Sequence, residues 1–299
     1  MHVRFWGTRG SIPSPGPLTL RYGGNTTCVE VRTTGGTLLI LDCGSGVREL
    51  GNSLMATKSS ARRGHILISH LHWDHIQGMP FFAPLYAADG EWDVYAPRPG
   101  ALSLQDALTL QMSPPFFPIS LDALRGTIRF HELREDVHMI GDAKVSTQFL
   151  NHPGATLGYR IEADGAVVVY ICDHEPHGTG DFASSQDFSR EDRRHIAFLQ
   201  DADLVIHDAQ YIAKEFDQKR GWGHSVGEYV VEVCRQAGVR KVALTHHDPT
   251  RTDAKIDASI QNLRTAFAGS TFLPDFFAAA EGAQLDVGNQ DVGTPSTTH

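Results

Sequence analysis

The sequence predicts an α/β fold. Short apolar runs of strand length alternate with segments of helical periodicity, and several runs end in clusters of His and Asp. Runs rich in Val, Ile and Leu suit strands buried on both faces. Polar clusters at strand ends are where such folds assemble their sites.

Taken in order, the strands predicted are Cys28–Val31, Leu38–Leu41, Ile66–Ile68, Val94–Tyr95, Val167–Ile171, Leu204–Ile206 and Val242–Leu244. The first predicted helix is Ser45–Ala56, with Ser45 as its cap and Val47, Leu50 and Leu54 at helical spacing. Leu104–Met112, Arg190–Leu199, Val226–Ala237 and Ala254–Phe267 follow. Ser225 is placed to cap the helix from Val226, with Glu228 at the capping-box position and Gly238 as its stop. The loop from Gln111 to Pro118 carries three prolines, and its Phe116 and Phe117 either pack on the core or wall a pocket. No linker or fixed-period repeat interrupts residues 1–286, which read as one domain. Residues 287–299 are mostly small and polar and read as a disordered tail.

Composition narrows the function. A chain of 299 residues, 41% hydrophobic and 20% charged, can bury a sizeable core and is not a disordered polymer. With 26 Lys+Arg against 35 Asp+Glu, the formal net charge is −9. That argues against holding nucleic acid by bulk charge. It leaves room for a phosphate held by metal. The cysteines, Cys28, Cys43, Cys172 and Cys234, form no CxxC pair, which argues against a cysteine zinc site and a disulfide framework. No run is long and apolar enough for a membrane helix, and no signal-like stretch opens the chain. The expectation is a soluble cytoplasmic protein without a membrane partner, with a homodimer left open.

The strongest motif is His70-Leu-His72-Trp-Asp74-His75, directly after a predicted strand. Alternate residues of an extended segment face one way, so His70 and His72 can converge on one ion. Where the chain then turns into a helix, Asp74 and His75 can face a second. His and carboxylate donors without Cys suit catalytic Zn²⁺ and admit Mn²⁺ or Fe²⁺. The remaining donors must come from elsewhere. His152 lies in a turn after a strand. Asp173 ends a strand too apolar to bury a lone carboxylate cheaply, and His246 and His247 follow Leu244-Thr245.

This succession of motifs resembles the metallo-β-lactamase superfamily over nearly the whole chain. The resemblance implies a four-layer αββα sandwich, two mixed sheets face to face with helices outside. It implies one ion on His70, His72 and His152, the other on Asp74, His75 and His246, and Asp173 bridging both. His246 is preferred to His247 because the family's ligand directly follows Leu-Thr at this strand end. Asp42, in Asp42-Cys-Gly-Ser, matches an early family Asp that hydrogen-bonds near the ligands.

Further segments resemble the ribonuclease Z and cyclic-nucleotide phosphodiesterase branch. Gly223-His224-Ser225 resembles the element whose His contacts the scissile phosphate and protonates the leaving oxygen. Asp208 stands where that branch keeps a carboxylate, more often Glu, that orients this His. Tyr22-Gly-Gly-Asn25-Thr26 resembles a hairpin whose polar residues lie near the site. The implied reaction is attack on phosphorus by a hydroxide held between two ions, with Asp74 holding or deprotonating the water. A small phosphodiester such as a cyclic nucleotide is the substrate expected first, because no Gly-Pro-rich basic hairpin for a tRNA arm is evident. RNA 3′-end processing of the ribonuclease Z type is the alternative. A thioester or lactam hydrolase, or a non-catalytic metal-dependent sensor, comes after these.

Overall fold

A computed structural model describes residues 1–56, 62–178, 182 and 188–288. Among the described residues the strands are β1 (His2–Gly7), β2 (Cys28–Arg32), β3 (Leu38–Leu41), β4 (Arg63–Leu67), β5 (Glu91–Pro97), β6 (Thr127–Leu133), β7 (Val137–Ile140), β8 (Ala143–Phe149), β9 (Leu157–Ala163), β10 (Ala166–Ile171), β11 (Leu204–Asp208), β12 (Lys241–Thr245), β13 (Asp275–Ala278) and β14 (Gln284–Asp286). The helices are α1 (Val47–Ala56), α2 (Trp73–Ile76), α3 (Leu104–Gln111), α4 (Arg190–Leu199), α5 (Ala213–Lys219), α6 (Gly227–Gln236) and α7 (Asp253–Ala266).

The strands form two seven-stranded sheets, ordered β14-β1-β2-β3-β4-β5-β6 and β13-β12-β11-β10-β9-β8-β7. Both are mixed: β3 to β6 run parallel in one, β10 to β13 in the other, and the remaining pairs are antiparallel. The inner faces meet in one core, where Phe5, Val31 and Leu41 of the first sheet join Val145, Ile161 and Val168 of the second. Each such buried side chain contributes about 1.5–3 kcal/mol. Outside the first sheet, Val47, Leu50 and Leu108 pack on Ile40, Ile66 and Val94. Outside the second, Leu199, Val230 and Leu263 pack on Val169, Val205 and Val242. The expected αββα sandwich is therefore the fold.

Register brings the strand ends level. Leu41 pairs with Leu67, and Ile171 with His207, while Asp208 pairs with Thr245. Residues just beyond these ends emerge along one edge of the sandwich.

Two caps differ from expectation. The Ser225 hydroxyl does not cap α6; it donates to the His174 carbonyl, and the N-cap is Val226 without a side-chain bond. The Ser45 hydroxyl donates to Asn25 Oδ1 and accepts from the Thr26 amide, bracing the neighbouring loop. Both serines pair with loop groups brought near by the fold. Gly238 does end α6: its φ is +68°, and Val239 N donates to the Cys234 carbonyl at 3.0 Å in a Schellman closure. At the C-terminus, Val287 is buried and its amide donates to the Met1 carbonyl, so the segment read as tail starts inside the folded domain. Residues 289–299 of that tail lie outside the described residues. No helix among the described residues is long and apolar enough to cross a membrane.

Candidate metal centre

The first sheet delivers His70 and His72 from the loop after β4, then Asp74 and His75 from α2. The second sheet delivers His152 after β8, Asp173 after β10 and His246 after β12. Asp42, Asp173 and His246 all have left-handed backbones, with φ of 61°, 64° and 58°. This conformation turns each sharply out of its strand, and Asp and His are among the non-glycine residues that adopt it most often. The His246 ring lies so close to Gly10 that a Cβ at that position would stand 2.3 Å from its Nδ1.

The seven side chains form two abutting groups. In the first, His72 Nδ1 lies 3.0 Å from His152 Nε2, while His70 Nε2 and His152 Nε2 lie 3.4 and 3.5 Å from Asp173 Oδ2. In the second, His75 Nε2 is 3.3 Å from both Asp74 Oδ2 and Asp173 Oδ2. His246 Nε2 is 3.1 Å from Asp74 Oδ2 and 3.1 Å from Asp173 Oδ1. Cys172 Sγ also falls within 4.8 Å of donors from His75, Asp173 and His246. It was not expected, because cysteine spacing alone gave no metal motif. Burial pushes its thiol well above the usual range.

Whether these groups suit cations is testable on the geometry. Ligand nitrogens about 2.0–2.1 Å from a tetrahedral Zn²⁺ stand about 3.3 Å from each other. The separations here are 3.0 to 3.5 Å. His70 Nε2, His75 Nε2 and Asp173 Oδ1 are buried without any hydrogen-bond partner. Each such orphan costs about 1–3 kcal/mol unless something satisfies it. Divalent cations would. Burial opposes charge on Asp74 and Asp173, yet the facing histidines outweigh it and hold both carboxyls well below the usual range.

The second nitrogen of most of these rings is also fixed, as metal-binding imidazoles require. His75 Nδ1 meets Asp42 Oδ2 at 2.8 Å, and Asp42 accepts from the Ser69 amide, the Ser69 hydroxyl and the Tyr170 hydroxyl. Ser69 Oγ lies 3.1 Å from His70 Nδ1. His152 Nδ1 donates to the Gly223 carbonyl at 2.9 Å, and His246 Nδ1 to Gln210 Oε1 at 2.8 Å. Gln210 Nε2 donates to Ser11 Oγ, and the Ser11 amide donates to Asp74 Oδ2 at 2.7 Å. Ser11, Ser69 and Gln210 had no predicted role. Asn25 and Thr26 do not line the cleft; Asn25 Nδ2 bonds Glu281, and Thr26 Oγ1 accepts from Ser45 N and Gln77 Nε2.

Above the donors opens a cleft of about 480 Å³, walled by Ser11, Trp73, Asp74, Trp222 and His224. The 111–118 loop does not line it; Phe117 packs edge-on against Phe81, and Phe116 is exposed. His247 turns away and meets the Ala279 carbonyl, leaving His246 at the centre. His224 Nδ1 lies 3.2 Å from Asp208 Oδ2, so the shorter carboxylate reaches. Burial disfavours the imidazolium, but Asp208 and Asp173 outweigh it and push the His224 pKa up to about 9. Ser225 serves here through its backbone, whose amide donates to Asp208 at 3.1 Å.

An αββα sandwich with two histidine–aspartate donor groups at one edge defines the class of metallo-β-lactamase-fold hydrolases. Residues 37–247 match the family model described as the beta-lactamase superfamily domain, and the chain belongs to that superfamily. It is similar to ribonuclease Z of Natronomonas pharaonis, 27% identical, with 92% of this chain and 96% of that protein covered. Among solved structures it resembles the metallo-beta-lactamase fold protein YhfI from Bacillus subtilis, with a TM-score of 0.67 at 17% identity, covering 95% of this chain and 98% of that one. It likewise resembles yeast PDE1, with a TM-score of 0.66 at 14% identity and coverage of 95% and 98%.

Proposed function

We propose that the protein is a dinuclear-metal phosphodiesterase whose substrate is a small nucleotide diester. The observation that carries this reading is His224, held by buried Asp208 on the wall of the cleft above the donors. A diester releases an alkoxide that must be protonated, and a charged imidazole at that place supplies the proton.

In this reading His70, His72 and His152 would hold one ion and Asp74, His75 and His246 the other, with the Asp173 carboxylate facing both groups. Zn²⁺ suits the imidazole-rich donors best, with Mn²⁺ and Fe²⁺ next. Such a pair would activate water at neutral pH and neutralise charge on the phosphate oxygens. The chain does the rest. Asp74 accepts the Ser11 amide on Oδ2, which fixes its carboxylate in place against His75 and His246. His224 gives its proton from Nε2 while Asp208 holds Nδ1 and the ring's orientation.

A second reading, endonucleolytic processing of an RNA 3′ end, is favoured by the similarity to ribonuclease Z along 92% of the chain. We rank it second. Among the described residues the long strands all belong to the two sheets, with no projecting hairpin, and the net charge is −9. The test offers cyclic nucleotides, dinucleotides, a 3′-extended tRNA, nitrocefin and a thioester to the zinc-loaded protein. Hydrolysis confined to the small diesters is expected. Cleavage of the tRNA alone selects the second reading, and two bound ions with no ester cleaved overturns both.

A further inference from the structure

Two tryptophans stand at the mouth of the cleft. Trp73 is 79% exposed and Trp222 58% exposed, although each ring has well over 150 Å² to bury. Both are tied to the machinery by the chain itself: Trp73 lies between His72 and Asp74, and Trp222 lies two residues before His224.

The Trp222 ring is presented on a built frame. Gly221 and Gly223 flank it with φ of +82° and +83°, and their amides both donate to the Glu175 carboxylate, at 2.8 and 2.9 Å. The Trp222 amide closes a turn on the Lys219 carbonyl, and Lys219 Nζ lies 4.3 Å from the indole ring. Gly223 also accepts from His152, which couples the turn to the donor set. Phe116 is more exposed than either indole, at 83%, but lies away from the cleft and has no such frame.

We infer that Trp73 and Trp222 are stacking platforms for two nucleobases, one on each side of the scissile phosphate. The substrate class is then the internucleotide phosphodiester of a dinucleotide. Indoles stack on any base, so selectivity falls on the spacing of base, phosphate and base and not on base identity. A cyclic mononucleotide carries one base and leaves one platform idle. This inference rests on the phosphodiesterase reading and narrows its substrate.

The experiment uses the zinc-loaded protein and its W73A, W222A, W73F and W222F variants. The probes are a dinucleoside monophosphate and a 3′,5′-cyclic mononucleotide. Each alanine should raise KM for the dinucleotide about tenfold or more, with kcat changed less than threefold, and phenylalanine should restore most of the loss. The cyclic mononucleotide should respond to only one of the two alanines. Equilibrium dialysis of the dinucleotide against metal-free protein reads the platforms without turnover, and there each alanine should weaken binding about tenfold. Unchanged KM and unchanged dialysis would overturn the inference, as would an alanine variant that only alters the oligomeric state in sedimentation. A wild-type protein that binds the dinucleotide yet cleaves no diester would instead sink the phosphodiesterase reading.

Discussion

Asp208 Oδ2 stands 3.2 Å from His224 Nδ1 while accepting the backbone amides of Ser225 and His174 at 3.1 and 3.3 Å. Three donors therefore fix one oxygen, and the carboxylate cannot swing away from the imidazole. His224→Ala should lower kcat on an alkyl-leaving-group diester about 10²–10⁴-fold. The loss on bis(p-nitrophenyl) phosphate should be smaller, because nitrophenolate leaves unaided. Metal analysis of the same variant should still find two ions per chain. Loss of metal would assign His224 to the donor set.

Gln210 couples His246 to Ser11. Gln210→Ala frees His246 Nδ1 and with it the ring's tautomer. Affinity at the Asp74–His75–His246 group should fall about 10–100-fold. The His70–His72–His152 group should be untouched. Competition with a chromophoric chelator, resolved into two binding steps, measures both.

Chelation should destabilise the whole domain, because the donors come from both sheets. A site at a thousand times its Kd adds about 4 kcal/mol. Two sites should shift Tm by about 10 °C or more. Calorimetry with and without a strong chelator checks this, and an unchanged Tm would mean that the groups do not bind metal.

His207 gives the metal-free protein an acid-sensitive core. Burial, opposed only in part by the bond from its Nδ1 to the Asp208 carbonyl, lowers its pKa from 6.5 to about 4. Between those values the unfolded chain binds a proton that the folded one refuses. Its contribution is therefore full above pH 6.5, declines as pH falls toward 4, and flattens below. The change is about 3 kcal/mol. Urea unfolding at intervals across this window should show the slope, and His207→Asn, which keeps a donor near Nδ1, should reduce it, the remainder coming from His174, His195 and His247, which burial also holds low.

Which parts of the fold were legible follows from burial. β3, β10 and β11 carry helices on one face and the opposing sheet on the other, so they read as unbroken apolar runs. β1 alternates buried with half-buried residues, and β6 is mostly half-exposed; neither stood out as a run. That these seven side chains would meet was legible because four of them are packed into one hexapeptide and the others stand just beyond strands. Ser11 was not, since it acts through a backbone amide that carries no residue signature. Gln210 was not, since its partners His246 and Ser11 lie far away in the chain.

The division of donors between the sheets makes the interior a ruler. His70, His72, Asp74 and His75 ride on one half of the sandwich, and His152, Asp173 and His246 on the other. A slip of a single residue along a strand is about 3.3 Å, longer than any metal–ligand bond. Helices other than α2, and loops that carry no donor, can therefore drift with little consequence for the centre, whereas a cavity cut between Phe5 and Val168 would reach it from a distance by letting the two halves shear.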